Sequence, residues 1–141
     1  MTEQELQYGE QLRAEAGTFL YQPGEAVSGS SIYYVVAGLV RLDLPLGERL
    51  SVYLHPDSVF GLVETLLDCP RLTGACCLES SILYRWDREG FDLASSVSWE
   101  LAFNTITGCT QYLRVLNAEF SSRLRQAGAQ PGTEAGAAKV G

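Results

Sequence analysis

The run Ile32-Tyr33-Tyr34-Val35-Val36-Ala37-Gly38-Leu39-Val40-Arg41-Leu42-Asp43-Leu44 decides how the rest of the chain is read. Its first five residues are β-branched or aromatic, the types that pack on a pleated surface, and they form a strand. Ala37-Gly38 turns the chain. Beyond it Val40, Leu42 and Leu44 alternate with Arg41 and Asp43, the period-two pattern of a half-buried antiparallel strand.

The flanking segments repeat this scheme. Upstream, Thr18-Phe19-Leu20-Tyr21 is a strand stopped by the Pro23-Gly24 turn, and Ser28-Gly29-Ser30-Ser31 is a loop. Downstream, Pro45-Leu46-Gly47-Glu48 is a hairpin turn into a strand over residues 49–54, and His55-Pro56-Asp57-Ser58 is another turn. Val59-Phe60-Gly61 leads into a short helix over residues 62–67, broken by Asp68-Cys69-Pro70. Residues 74–78 and 81–86 are two more strands joined by Glu79-Ser80. Short strands at this spacing predict an all-β barrel or jelly roll. Residues 2–14 read as a short helix or a frayed lead-in.

After Trp86 the period changes. Asp87 is placed to cap a helix through about Ala94, with Glu89 in its first turn. Ser98 can cap a second helix from Trp99 to about Arg125, roughly 40 Å long and longer than a lid on this barrel requires. On it Trp99, Ala102, Ile106, Cys109, Leu113, Leu116 and Phe120 recur at steps of three and four, a heptad seam. A second stripe, Leu101, Thr105, Gly108, Tyr112 and Val115, is left to lie on the barrel. Two apolar faces need two partners, and the second is predicted to be the same helix in another copy, giving a twofold dimer. The predicted organisation is a β-roll with short flanking helices over 1–98, the dimerisation helix over 99–125, and a disordered Gly/Ala-rich tail over 126–141.

Composition narrows the function classes. The 141 residues (15.4 kDa) are 46% hydrophobic and 19% charged, enough for one core without disulfide or metal. A net charge of -7 and a pI near 4.6 argue against gripping phosphate backbones. No apolar run approaches the roughly 20 residues of a membrane span, and the start lacks a signal-peptide pattern, so a cytoplasmic location with no membrane partner is expected. His55 is the single histidine, and Cys69, Cys76, Cys77 and Cys109 form no C-x-x-C pair. No catalytic residue and no metal ligand set is therefore expected, and the cysteines read as buried apolar residues.

The order of these pieces resembles the cyclic-nucleotide-binding domain of the Crp/Fnr regulator superfamily. It is carried by Gln22-Pro23-Gly24-Glu25, the run from Ile32 to Leu42, Gly47-Glu48, Pro56-Asp57-Ser58-Val59-Phe60-Gly61, Ser81-Ile82-Leu83-Tyr84-Arg85-Trp86 and Asp87-Arg88-Glu89-Gly90-Phe91. The resemblance implies a jelly roll followed by a long dimer helix, and it covers residues 13–125. It also implies a phosphate-binding cassette of the form F-G-E with an Arg-Ser or Arg-Thr pair further on. Here Phe60-Gly61 is followed by Leu62 in place of the glutamate that would hold a ribose hydroxyl. The Arg-Ser position falls on Arg71-Leu72, and shifting it to use Thr73 puts Leu72 in the arginine's place.

Glu64 is expected to face solvent. Arg71 reads as a surface or ion-paired arginine, with an anionic ligand as its second role. The Thr-Ser pair that reaches the purine in catabolite-activator members falls on Leu116 and Asn117. Two lost contacts of roughly 1.5–3 kcal/mol each imply about a hundredfold weaker binding or more. Cyclic nucleotide is thus disfavoured and no cofactor is implied. The iron–sulfur and haem branches fit poorly, since no cysteine precedes Cys69 and His55 sits in a turn.

About sixteen residues follow the helix, too few for the family's winged helix-turn-helix, and Lys139 is the only lysine, so direct nucleic-acid binding is not expected. The leading reading is a non-enzymatic dimeric regulatory module in transcriptional or signalling control. It would act through a protein partner or a full-length Crp/Fnr relative. The alternatives are a receptor for a non-canonical ligand in a pocket made apolar by Leu62 and Leu72, and the sensor half of a longer DNA-binding regulator. A metal cupin enzyme is disfavoured.

Overall fold

The computed structural model describes residues 7–45 and 50–128; residues 1–6, the turn expected at 46–49 with Gly47-Glu48, and the expected tail from 129 lie outside the described residues. Among the described residues, eight strands form two four-stranded antiparallel sheets. They are β1 (Glu10–Ala14), β2 (Phe19–Tyr21), β3 (Ile32–Ala37), β4 (Val40–Leu44), β5 (Leu50–Leu54), β6 (Val59–Phe60), β7 (Gly74–Cys77) and β8 (Ser81–Trp86). One sheet has the order β1-β8-β3-β6 and the other β2-β7-β4-β5, the crossing pattern of a jelly roll. The helices among the described residues are α1 (Leu62–Leu67), α2 (Arg88–Val97) and α3 (Trp99–Gly128). No described helix is long and apolar enough to cross a membrane.

The chain divides into two compact units, Met1–Gly108 and Cys109–Gly141. In the first unit, β3 is buried on both faces, which is why it reads as an unbroken apolar run. Tyr33 and Val35 face one layer. Ile32 and Tyr34 face the other, where they join Tyr84, Trp86, Phe91, Ala94 and Leu101 in a core roofed by α2 and the start of α3. β4 keeps the predicted alternation, with Val40, Leu42 and Leu44 buried and Arg41 and Asp43 half-buried. Gly38 is required at its turn: its φ is +101, and a Cβ there would fall 2.7 Å from Ser81 Cα.

Both predicted caps form. Asp87 Oδ1 accepts from the Gly90 amide at 2.7 Å, and Ser98 Oγ accepts from the Leu101 amide at 3.1 Å. α2 continues three residues past the predicted end, and α3 runs to Gly128 rather than Arg125.

Of the short helix or frayed lead-in expected over residues 2–14, residues 2–6 lie outside the described residues. Glu10–Ala14 is not helical but is the edge strand β1, paired along its length with β8. Its mostly exposed side chains suit a sheet edge, and Glu10 faces Arg85 with a 2.7 Å contact from Nε to Oε1.

Candidate functional site

Gly61 is the pivot between β6 and α1. Its φ is +80, and a Cβ there would fall 2.5 Å from the Ser31 carbonyl oxygen and 3.0 Å from Arg71 Nη1. Only glycine adopts that backbone freely and lets carbonyl and guanidinium approach so closely.

Beyond that pivot, α1 is turned the opposite way from its expected orientation. Glu64 is buried (5% exposed), while Val63, Leu66 and Leu67 are exposed. The cause is Arg71, itself buried (6% exposed), whose Nη1 lies 3.8 Å from Glu64 Oε1. A carboxylate leaves water only at great cost unless a cation faces it, and Arg71 supplies that cation.

Arg71 is held on several sides. Nη1 donates to the Gly61 carbonyl at 3.0 Å and Nη2 to the Ser31 carbonyl at 2.8 Å. The guanidinium carbon sits 3.9 Å from the centre of the Tyr21 ring, a cation–π contact. Its backbone is fixed too: the amide donates to Glu25 O at 2.9 Å, and its carbonyl accepts from the Gly24 amide at 2.7 Å. Nearby, the hydroxyls of Ser31 and Thr65 lie 2.9 Å apart, and Thr65 donates to the Gly61 carbonyl at 2.9 Å. Burial pushes the Tyr21 phenol well above the usual tyrosine range, partly offset by the positive charge of Arg71 and reinforced by Glu64. Tyr33 stacks on Phe60 at 5.0 Å across the β3–β6 pair, with Tyr21 6.0 and 6.4 Å from them.

Of the predicted pocket residues, Gly61 and Glu64 meet the Arg71 guanidinium, while Phe60 and Thr73 lie beside the Tyr21 ring that covers it. Leu62 and Leu72 do neither. Leu62 is half-buried and packs against the Trp86 core. Leu72 is 53% exposed, between the buried Arg71 and Thr73. The apolar seat expected from two leucines is therefore not built. Tyr21, Tyr33, Ser31 and Thr65 belong to the site and were not anticipated; Tyr21 and Tyr33 were findable from strand alternation, whereas the two hydroxyls carried no signal.

On α3, Leu101 is fully buried, and Gly108 would place a Cβ 3.9 Å from Val59 O, so this stripe faces the β-roll over Trp99–Gly108. Of the predicted seam, Trp99 (78%), Ile106 (66%) and Leu113 are exposed, and Ala102, Cys109 and Leu116 are half-buried. Phe120's side chain lies outside the described residues. Phe103, missed by the seam, is also exposed and stacks on Trp99 at 5.2 Å. His55 is exposed in its turn, and Cys76 and Cys77 are buried in β7.

The cyclic nucleotide-binding domain family is matched over residues 11–94. A search of the curated proteins returns no match. Among solved structures, the chain is similar to the haem domain of CooA from Carboxydothermus hydrogenoformans, with 13% identity and a TM-score of 0.74 over 89% of this chain and 88% of that one. It is similar to the catabolite activator protein of Thermus thermophilus, with 21% identity and a TM-score of 0.65 over 89% of this chain. A cAMP-binding acyltransferase from Mycobacterium smegmatis matches 62% of this chain at 21% identity and a TM-score of 0.55. The chain spans 58% of the catabolite activator's length and 27% of the acyltransferase's.

Proposed function

Because the chain belongs to the cyclic nucleotide-binding domain family, we propose that it is a non-enzymatic, cytoplasmic sensor module that works as a dimer and regulates through a partner, with a cassette that holds no cyclic nucleotide. The observation that carries this reading is Arg71. Its two terminal nitrogens already donate to backbone carbonyls, its face is covered by Tyr21, and its charge is met by Glu64. Leu62, where the family pattern has a glutamate, packs into the core and offers no acceptor for a ribose hydroxyl. Dimerisation is supported by the exposed apolar residues Trp99, Phe103, Ile106 and Leu113 along α3. The partner in this reading is a protein, a full-length Crp/Fnr relative being the first to test. A second reading, the sensor half of a longer DNA-binding regulator, is favoured by the match to 58% of the catabolite activator.

Isothermal titration with cyclic AMP and cyclic GMP tests the cassette. No saturable heat is expected at ligand concentrations up to about 1 mM, where binding would be worth about 4 kcal/mol. Low-micromolar affinity for either nucleotide contradicts the reading.

A further inference from the structure

Resting on the reading that Arg71 is withheld from nucleotide, we propose that Glu64 is the residue that withholds it. Its carboxylate is a resident counter-anion, and removing its charge opens the buried guanidinium to small oxyanions, inorganic phosphate first.

Among the described residues, Glu64 is the one acidic side chain paired with Arg71. The two groups cancel, so an incoming phosphate would leave a net buried negative charge, which a low-dielectric site tolerates poorly. With Glu64 neutral, Arg71 becomes a buried cation without a counter-charge, the condition that recruits an anion.

Hydrogen bonding points the same way. At 3.8 Å from Nη1, Glu64 Oε1 is beyond hydrogen-bond reach, and that buried oxygen has no hydrogen-bond partner. Native structures rarely leave a buried carboxylate oxygen so, since a group retained for stability is normally satisfied. Glu64 acts on Arg71 through charge. Three of the guanidinium's five N–H donors are not used on the Gly61 and Ser31 carbonyls, so capacity for an oxyanion remains. The Ser31 and Thr65 hydroxyls stand beside the same Gly61 carbonyl.

The test uses the full chain as wild type, Glu64→Gln, Glu64→Ala, and Glu64→Gln combined with Arg71→Met. Each is titrated with inorganic phosphate and with cyclic AMP by calorimetry and thermal melting. Glu64→Gln is expected to bind phosphate about tenfold or more tightly than wild type, and the added Arg71→Met change to abolish the gain. If the glutamine variant folds poorly, Glu64→Ala gives the same information. Phosphate or acetate should raise its melting temperature in a saturable way, as it does not for wild type. Glu64 variants as indifferent to phosphate as wild type, or a gain that survives Arg71→Met, overturn the inference. Micromolar cyclic AMP binding by wild type would instead overturn the functional reading, so the two failures are distinguishable.

Discussion

Arg71 and Glu64 show how two side chains can set the character of a whole cassette. Each is buried, and each is tolerable there because of the other. Removing one partner of a buried pair is costly, about 3–5 kcal/mol, because the remaining charge is left uncompensated. Arg71→Met is therefore expected to lower stability by about that amount in urea unfolding. Glu64→Leu with Arg71→Met should recover most of the loss, since an apolar replacement of a buried pair is often near neutral. A double variant as unstable as the single would show that the carbonyl contacts, not the charges, dominate.

Gly61 is the other residue on which the site depends. Gly61→Ala adds a side chain at φ +80 and forces Ser31 O and Arg71 Nη1 apart. A loss of about 1–3 kcal/mol for the backbone strain alone is expected in denaturant unfolding. Wild-type stability would contradict the geometry.

The elements differ in how openly their residues announce them. β4 was legible because one of its faces is buried and the other is not, and β3 because both are. Asp87 and Ser98 announced the starts of α2 and α3, since a cap is a local device needing only residues within one turn. β1 was not legible. An edge strand of polar residues has no period of its own, and only pairing with β8, seventy-five residues away at the Glu10–Arg85 contact, makes it a strand. The orientation of α1 was hidden for a related reason. Local amphipathic logic sends a glutamate among leucines to water, whereas the deciding partner lies across the following loop. At this scale α3 carries its own prediction. In a parallel twofold seam Cys109 sits near its own copy, so mild oxidation should yield a disulfide-linked dimer on non-reducing gels. Cys109→Ser should abolish it while light scattering still reports a dimer. A single protomer at high micromolar concentration would contradict the seam.

For the whole molecule, the order of strands, turns and helices carried the fold, and the two sheets follow that order. The candidate site was legible only in part. Phe60, Gly61, Glu64, Arg71 and Thr73 lie in one neighbourhood of the fold, whereas Leu62 packs toward the Trp86 core and Leu72 is exposed. Spacing along a chain fixes which residues share a loop; burial of a charged pair decides which of them turn inward. The Arg71 guanidinium is already engaged from within the fold. The most direct test of that engagement is the nitrogen-15 spectrum of the arginine side chains, with Arg71 assigned by its loss in Arg71→Met, recorded as cyclic AMP is added to millimolar concentration. The Arg71 resonances are expected to stay where they are. A saturable shift of those resonances would contradict this.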